Sequence, residues 1–148
     1  MEPLFHHILV PVDFTEKNRA AVELAQQLAR QSDARVSLLH VIEFIDFPED
    51  DEEISNFYDK LQARSEKELD NLLEMFTDDD LDVIVETIIN HRCKGIVLYA
   101  VDNDVDLIVM SSHPIAPDQR GGGLATISYQ VSAVCNCSIV LVKQSAPG

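Results

Sequence analysis

Five short apolar runs punctuate this chain, and in the first of them neighbouring residues, not only alternate ones, are hydrophobic. His7 to Asp13 reads HILVPVD, so Ile8, Val10 and Val12 share one face of an extended segment while Leu9 and Pro11 share the other. A strand that is apolar on both faces needs cover on both, as in a parallel sheet flanked by helices. The later runs are Arg35 to Ile42 (RVSLLHVI), Leu81 to Ile89, Leu107 to Met110 behind Asp106, and Ile139 to Val142. Segments with helical apolar spacing separate them. Strand and helix alternating in this way demand right-handed crossovers and parallel pairing. The predicted fold is α/β, a single doubly wound domain with helices on both faces of a five-stranded parallel sheet.

The expected elements can be placed. Thr15 is the predicted N-cap of a first helix running to about Gln31, with Ala20, Ala21, Leu24, Ala25, Leu28 and Ala29 as its buried stripe. Glu43 to Glu53, EFIDFPEDDEE, reads as an acidic loop whose like charges repel. A second helix follows from about Ile54 to Phe76, turning Phe57, Leu61, Leu69, Leu72, Leu73 and Phe76 inward. A third, Cys93 to Asn103, carries Ile96, Val97 and Ala100. Pro11 lacks a ladder donor, so the first strand should end there and leave Asp13 at its carboxyl end. Open α/β sheets present ligand-contacting side chains at that end.

The stretch from Asp106 to Lys143 is a strand, a glycine-rich loop, a helix from about Leu124 to Val134, and a strand. Such a unit places anions at the helix N-terminus. Its candidate contacts are Ser111 and Ser112 after the strand, Gly121, Gly122 and Gly123 behind Arg120, and Thr126 at the helix start. The glycine triplet is equally consistent with a phosphate cradle and with a plain connector.

Charge removes several classes. Eleven Lys plus Arg stand against 26 Asp plus Glu, a formal charge of -15. That field repels phosphate backbones and anionic lipid, so neither nucleic acid nor a membrane is an expected partner. No apolar run approaches the roughly 18 to 20 residues of a membrane span. The N-terminus does not resemble a signal peptide, which makes the cytoplasm the expected location. The cysteines, Cys93, Cys135 and Cys137, lack the spacing of redox or zinc motifs, and no metal site is expected. No nucleophile, base and orienter can be assembled, so no catalytic residue is predicted.

The segments ILVPVDFTEKNRAAVELA, RVSLLHV, IVLYAVDNDVDLIVMSSH and LATISYQVSAVCNCSIVLVK together resemble the universal stress protein family over nearly the whole chain. The resemblance implies strand order 3-2-1-4-5, with the switch point between the first and fourth strands. It also implies a homodimer formed through the last strands, Ile139 to Lys143. In the ATP-binding branch of that family, Asp13 would contact the adenine or ribose side and Val41 would line the base pocket. The phosphates would lie on a glycine-containing loop.

The chain departs from that branch at the phosphate end. Ser111, Pro114 and Ala125 stand where glycines are expected, and Asn90 replaces another; Gly121 to Gly123 are displaced. A Cβ keeps backbone N–H groups away from phosphate oxygens, and Pro114 removes an N–H outright. Two functions follow. One is an ATP-binding regulatory module, holding ATP or another adenine nucleotide with Mg²⁺ and hydrolysing it slowly at most. The other is a dimeric stress-response regulator with a degenerate or weak adenine-nucleotide site, acting through contacts with an unidentified protein partner. The substituted glycines favour the second.

Overall fold

The computed structural model describes residues 2–46, 51–112 and 126–143. Its elements run β1 (His7–Pro11), α1 (Asn18–Ser32), β2 (Arg35–Glu43), α2 (Glu52–Leu73), a 3₁₀ turn (Glu74–Phe76) and β3 (Val83–Asn90). Then come α3 (Arg92–Asp102), β4 (Leu107–Ser112), α4 (Ile127–Val134) and β5 (Ser138–Lys143). All strand pairs are parallel and the order is β3-β2-β1-β4-β5. The five-stranded doubly wound fold is therefore present, with β1 at its centre.

Parity along the strands divides the core in two. Ile8, Val10, Val36, Leu38, Leu107 and Val109 pack with Ala21, Val22, Ala25 and Ala29 of α1 and Leu69 of α2. Leu9, Leu39, Val41, Ile108 and Met110 pack on the opposite face with Ile96, Tyr99 and Ala100 of α3 and Val131 of α4. β1 is buried at every position, which is why its sequence shows no polar alternation. It ends at Pro11, where the missing N–H costs no ladder bond.

Several boundaries differ from expectation. α1 begins at Asn18, and the Thr15 side chain does not cap it; its N–H and hydroxyl both donate to Asp13 Oδ1, at 3.0 and 2.6 Å. A short-range carboxylate acceptor two residues back competes successfully with the helix for Thr15. Ala20 is exposed, because the stripe that meets the sheet is Ala21, Val22, Ala25 and Ala29. α2 starts earlier than predicted, with Asp51 as its N-cap accepting from Glu53 N–H at 2.9 Å, so Glu52 and Glu53 are helical rather than loop. Phe57, expected inside, is 47% exposed, since α2 reaches full burial only at Ser65 and Leu69.

The strands' N-terminal end is closed by a polar network. His7 Nδ1 lies 2.8 Å from Asn103 O and its Nε2 lies 2.6 Å from Ser37 Oγ; Tyr99 donates to the same Ser37 oxygen at 3.2 Å. Because Asn103 O can only accept, the Nδ1 must carry the proton. Asp106 accepts the amides of His6 and His7 at 2.8 and 3.1 Å, fastening β4 to the start of β1. Burial raises the Tyr99 hydroxyl above its usual value despite the Ser37 bond, so it stays a donor. No buried side-chain polar atom among the described residues lacks a partner. No described helix is long and apolar enough to cross a membrane.

Candidate functional site

At the other end of the sheet, where β1 and β4 part company, lies a cleft of about 180 Å³. Pro11, Leu39, Val41, Ile96 and Met110 give it an apolar floor. Asp13, Lys17, Asn18, His40, Arg92, Ser111, Thr126 and Ser128 supply its polar walls. An apolar slot with a few convergent polar groups at a topological switch point is the usual form of a small-molecule site in open α/β sheets.

Asp13 is positioned by a turn under tension. Phe14, next in the chain, has φ of 65°, a left-handed conformation that an aromatic side chain rarely adopts. Asn18 holds the turn from within: its buried side-chain oxygen accepts both the Asp13 and Phe14 amides at 2.8 Å. The Phe14 ring rests on His40, with centroids 4.4 Å apart. Partial burial pushes the Asp13 carboxyl upward, but the Thr15 hydrogen bonds, with help from the Arg92 charge, outweigh it and hold it below the usual carboxylate range. Asp13 is thus an ionised acceptor. Thr15 uses its Oδ1, and no described hydrogen bond uses Oδ2.

His40 lies beside it on β2. Its Nδ1 sits 2.8 Å from Val12 O, and a carbonyl can only accept, so the proton is on Nδ1 and the Nε2 lone pair is outward of that bond. Burial lowers the His40 pKa, the Val12 bond opposes that, and Arg92 adds to the lowering. The ring is neutral at pH 7. Arg92 enters as the first residue of α3; its amide donates to Glu43 Oε2 at 3.2 Å and its Nε lies 3.9 Å from the same oxygen.

The far wall is made of hydroxyls. Ser111 donates to Lys17 O at 2.8 Å and receives the Asn18 amide at 3.4 Å, tying the end of β4 to the start of α1. A glycine there would leave that space and those groups open; the serine occupies both. Thr126 caps α4, accepting from Tyr129 N–H at 3.4 Å, and lies 3.3 Å from Ser128 Oγ. Ser128 in turn donates to Ser112 Oγ at 3.3 Å.

Of the residues singled out in the sequence, Asp13, Val41, Ser111 and Thr126 line this one cleft. Ser112 does not; it is buried behind it, bonded to Ser128. Gly121, Gly122 and Gly123, with Pro114 and Ala125, lie outside the described residues. Sequence reasoning passed over Asn18, His40 and Arg92. Asn18 had a faint signal, a polar residue on the inward side of an alanine-rich helix. His40 sits next to Val41 in an apolar strand, but nothing in the sequence gives its tautomer. Arg92 lies one residue before the helix predicted from Cys93, and only the packing of α3 brings it to the cleft. Among the described residues, no three His, Cys, Asp or Glu side chains are grouped to hold a metal ion.

A model of the Universal stress protein family matches residues 4–143. Among solved structures, universal stress protein UspA from Lactobacillus plantarum superposes with a TM-score of 0.79 at 21% identity, over 93% of this chain and 97% of that one. A universal stress protein in complex with cAMP superposes with a TM-score of 0.62 at 15% identity, over 95% of this chain and 98% of that chain. The universal stress protein from Archaeoglobus fulgidus in complex with dAMP gives 0.66 at 16% identity, over 93% and 98% of the two chains. At these identities the likeness is one of fold. Among curated proteins none matches the chain.

Proposed function

The chain belongs to the universal stress protein family, and from that premise we propose that it is a dimeric stress-response regulator. In this proposal it holds an adenine nucleotide weakly in the β1/β4 cleft and acts through protein contacts. The observation that carries the nucleotide reading is the make-up of the cleft. An apolar floor of Leu39, Val41, Ile96 and Met110 suits a flat heterocycle. Ionised Asp13, whose Oδ2 takes part in no hydrogen bond among the described residues, suits the hydroxyl donors of a ribose. Arg92 and Lys17 bring positive charge to an otherwise acidic molecule, as a phosphate requires. That two relatives of the same fold carry cAMP and dAMP agrees with this ligand class.

Weakness follows from Ser111. Its proton is committed to Lys17 O, and its Cβ stands where close backbone approach to a phosphate would otherwise occur. Binding therefore rests on the base and ribose more than on the phosphates. Titration calorimetry of ATP, AMP and cAMP, each with and without Mg²⁺, tests this against wild type and Asp13→Ala. The expected result is sub-millimolar binding that differs little between ATP and AMP, loses about ten-fold or more in the variant, and is insensitive to Mg²⁺. Silence of all three ligands at millimolar concentration would sink the nucleotide reading and leave the protein contacts alone. Strong preference for MgATP would instead establish a working cradle in the Gly121–Gly123 loop.

A further inference from the structure

The β3 edge of the sheet carries a surface that the cleft does not use. β3 pairs with β2 along its whole length, and no described strand lies on its outer side. All its residues are at least partly exposed, whereas β1 is buried throughout. An open edge is a row of unpaired N–H and C=O groups, which proteins commonly blunt with lysine or proline. Val83–Asn90 contains neither, and Glu86 is its one charge.

Apolar side chains gather at the C-terminal end of this edge. Phe44 N–H donates to Asn90 O at 3.0 Å, carrying the β2–β3 pairing past the strands. Ile45 N–H donates to the Tyr58 hydroxyl at 2.6 Å, which brings the first half of α2 against the same segment. Phe44, Ile45, Phe57 and Ile89 are left between 37% and 47% exposed. The surroundings are acidic: the described residues 43–46 and 51–53 include Glu43, Asp46, Asp51, Glu52 and Glu53 and no Lys or Arg. Arg92 and His91 engage Glu43, at 3.9 and 3.5 Å, while Asp46, Glu52 and Glu53 are exposed.

We propose that the β3 edge docks an extended, basic segment of a partner protein. The segment adds a strand beside β3, sets aliphatic side chains against Ile89, Phe57 and Ile45, and places Lys or Arg opposite Asp46, Glu52 and Glu53. Main-chain bonds supply affinity, the apolar end fixes register, and charge selects the partner. A second copy of this chain is a poor occupant. An isologous contact at this edge would bring Asp46, Glu52 and Glu53 of one copy against the same acidic rim of the other.

The test uses a fluorescein-labelled peptide of roughly ten residues that alternates lysine with isoleucine or valine, long enough to span β3. Anisotropy titrations compare wild type, Ile89→Lys and Phe57→Lys, and amide hydrogen exchange of β3 is followed in the same mixtures. Expected are saturable binding that weakens with added salt, slower exchange along β3, and affinity reduced about ten-fold or more in each variant. Phe57 is on α2, so its variant keeps the test intact if Ile89→Lys does not fold. Equal binding by a proline-interrupted peptide of the same charge would overturn the proposal, since charge alone would then suffice. So would unchanged β3 exchange, or self-association of the wild type that Ile89→Lys abolishes. None of these outcomes depends on whether the cleft binds nucleotide.

Discussion

Asn18 organises the residues around the cleft, although it is the least conspicuous of them. One side-chain oxygen accepts two amides of the Asp13–Phe14 turn, and its amide group reaches Ser111. Replacing it with alanine leaves two donors in a strained turn without an acceptor. Asn18→Ala should therefore cost about 1–3 kcal/mol in urea unfolding and loosen Asp13 as well. Asn18→Asp retains the accepting oxygen and should recover most of the loss. His40 makes a prediction of opposite character. Its folded pKa lies below its ordinary 6.5, chiefly through burial, so the unfolded chain binds the proton more readily. The stabilising contribution is complete above about 6.5 and is lost as pH falls through the folded value. Unfolding free energy of the wild type should fall more steeply than that of His40→Gln between about pH 7 and pH 5. Parallel profiles would show that His40 does not titrate as described. Asp13 was legible in the sequence because strand ends can be located from apolar runs, whereas Val41 came from the family resemblance alone. Asn18 and His40 were not legible, since their roles depend on which backbone groups a turn points at them.

Among the elements, α3 shows how closely a helix must approach the sheet for the cleft to have a floor. It crosses β2 and β3 at Gly95, where a Cβ would stand 3.2 Å from Val41 Cγ1, 3.2 Å from Asn90 Cβ and 3.3 Å from Ile88 Cδ1. Gly95→Ala gains helix propensity but crowds three neighbours at once, one of them the Cβ of Asn90, which no rotamer change can move. A net loss of about 1 kcal/mol is expected in denaturant unfolding, with weaker nucleotide binding as Val41 is pushed into the cleft. A gain in stability with unaltered binding would mean that the helix shifts freely. The five strands and four helices could be read from periodicity because each has one job, to be apolar toward the sheet. Phe57 shows where that reading stops. Its spacing matches the buried stripe of α2, yet the helix begins at Glu52 and its first turns overhang the core. Periodicity reports which side of a helix is apolar, not how far along its length the sheet extends.

For the molecule as a whole, the sheet has two edges, and the family resemblance rather than any periodicity supplied their order. β5 is the second edge, with Ile139, Val140, Leu141 and Val142 all half-buried in a single chain. Pairing two such strands would cover them, which is the basis for expecting the homodimer. Sedimentation velocity at micromolar concentration should show a dimer for the wild type and a monomer for Leu141→Lys, whose charge would lie in the joint. A monomeric wild type would remove that expectation. The polar network of His7, Ser37, Tyr99 and Asn103 lies at the opposite end of the strands from the cleft, and Asp106 fastens the same end. This network thus lies away from the groups that face a ligand, of which Asn18 and Ser111 also brace the fold at the cleft. A chain built this way can exchange a phosphate-loop glycine for serine, or lose a ligand altogether, and still fold. The scaffold is free to keep its shape while selection rewrites the rim, which is how one architecture can pass from holding a nucleotide to holding a protein.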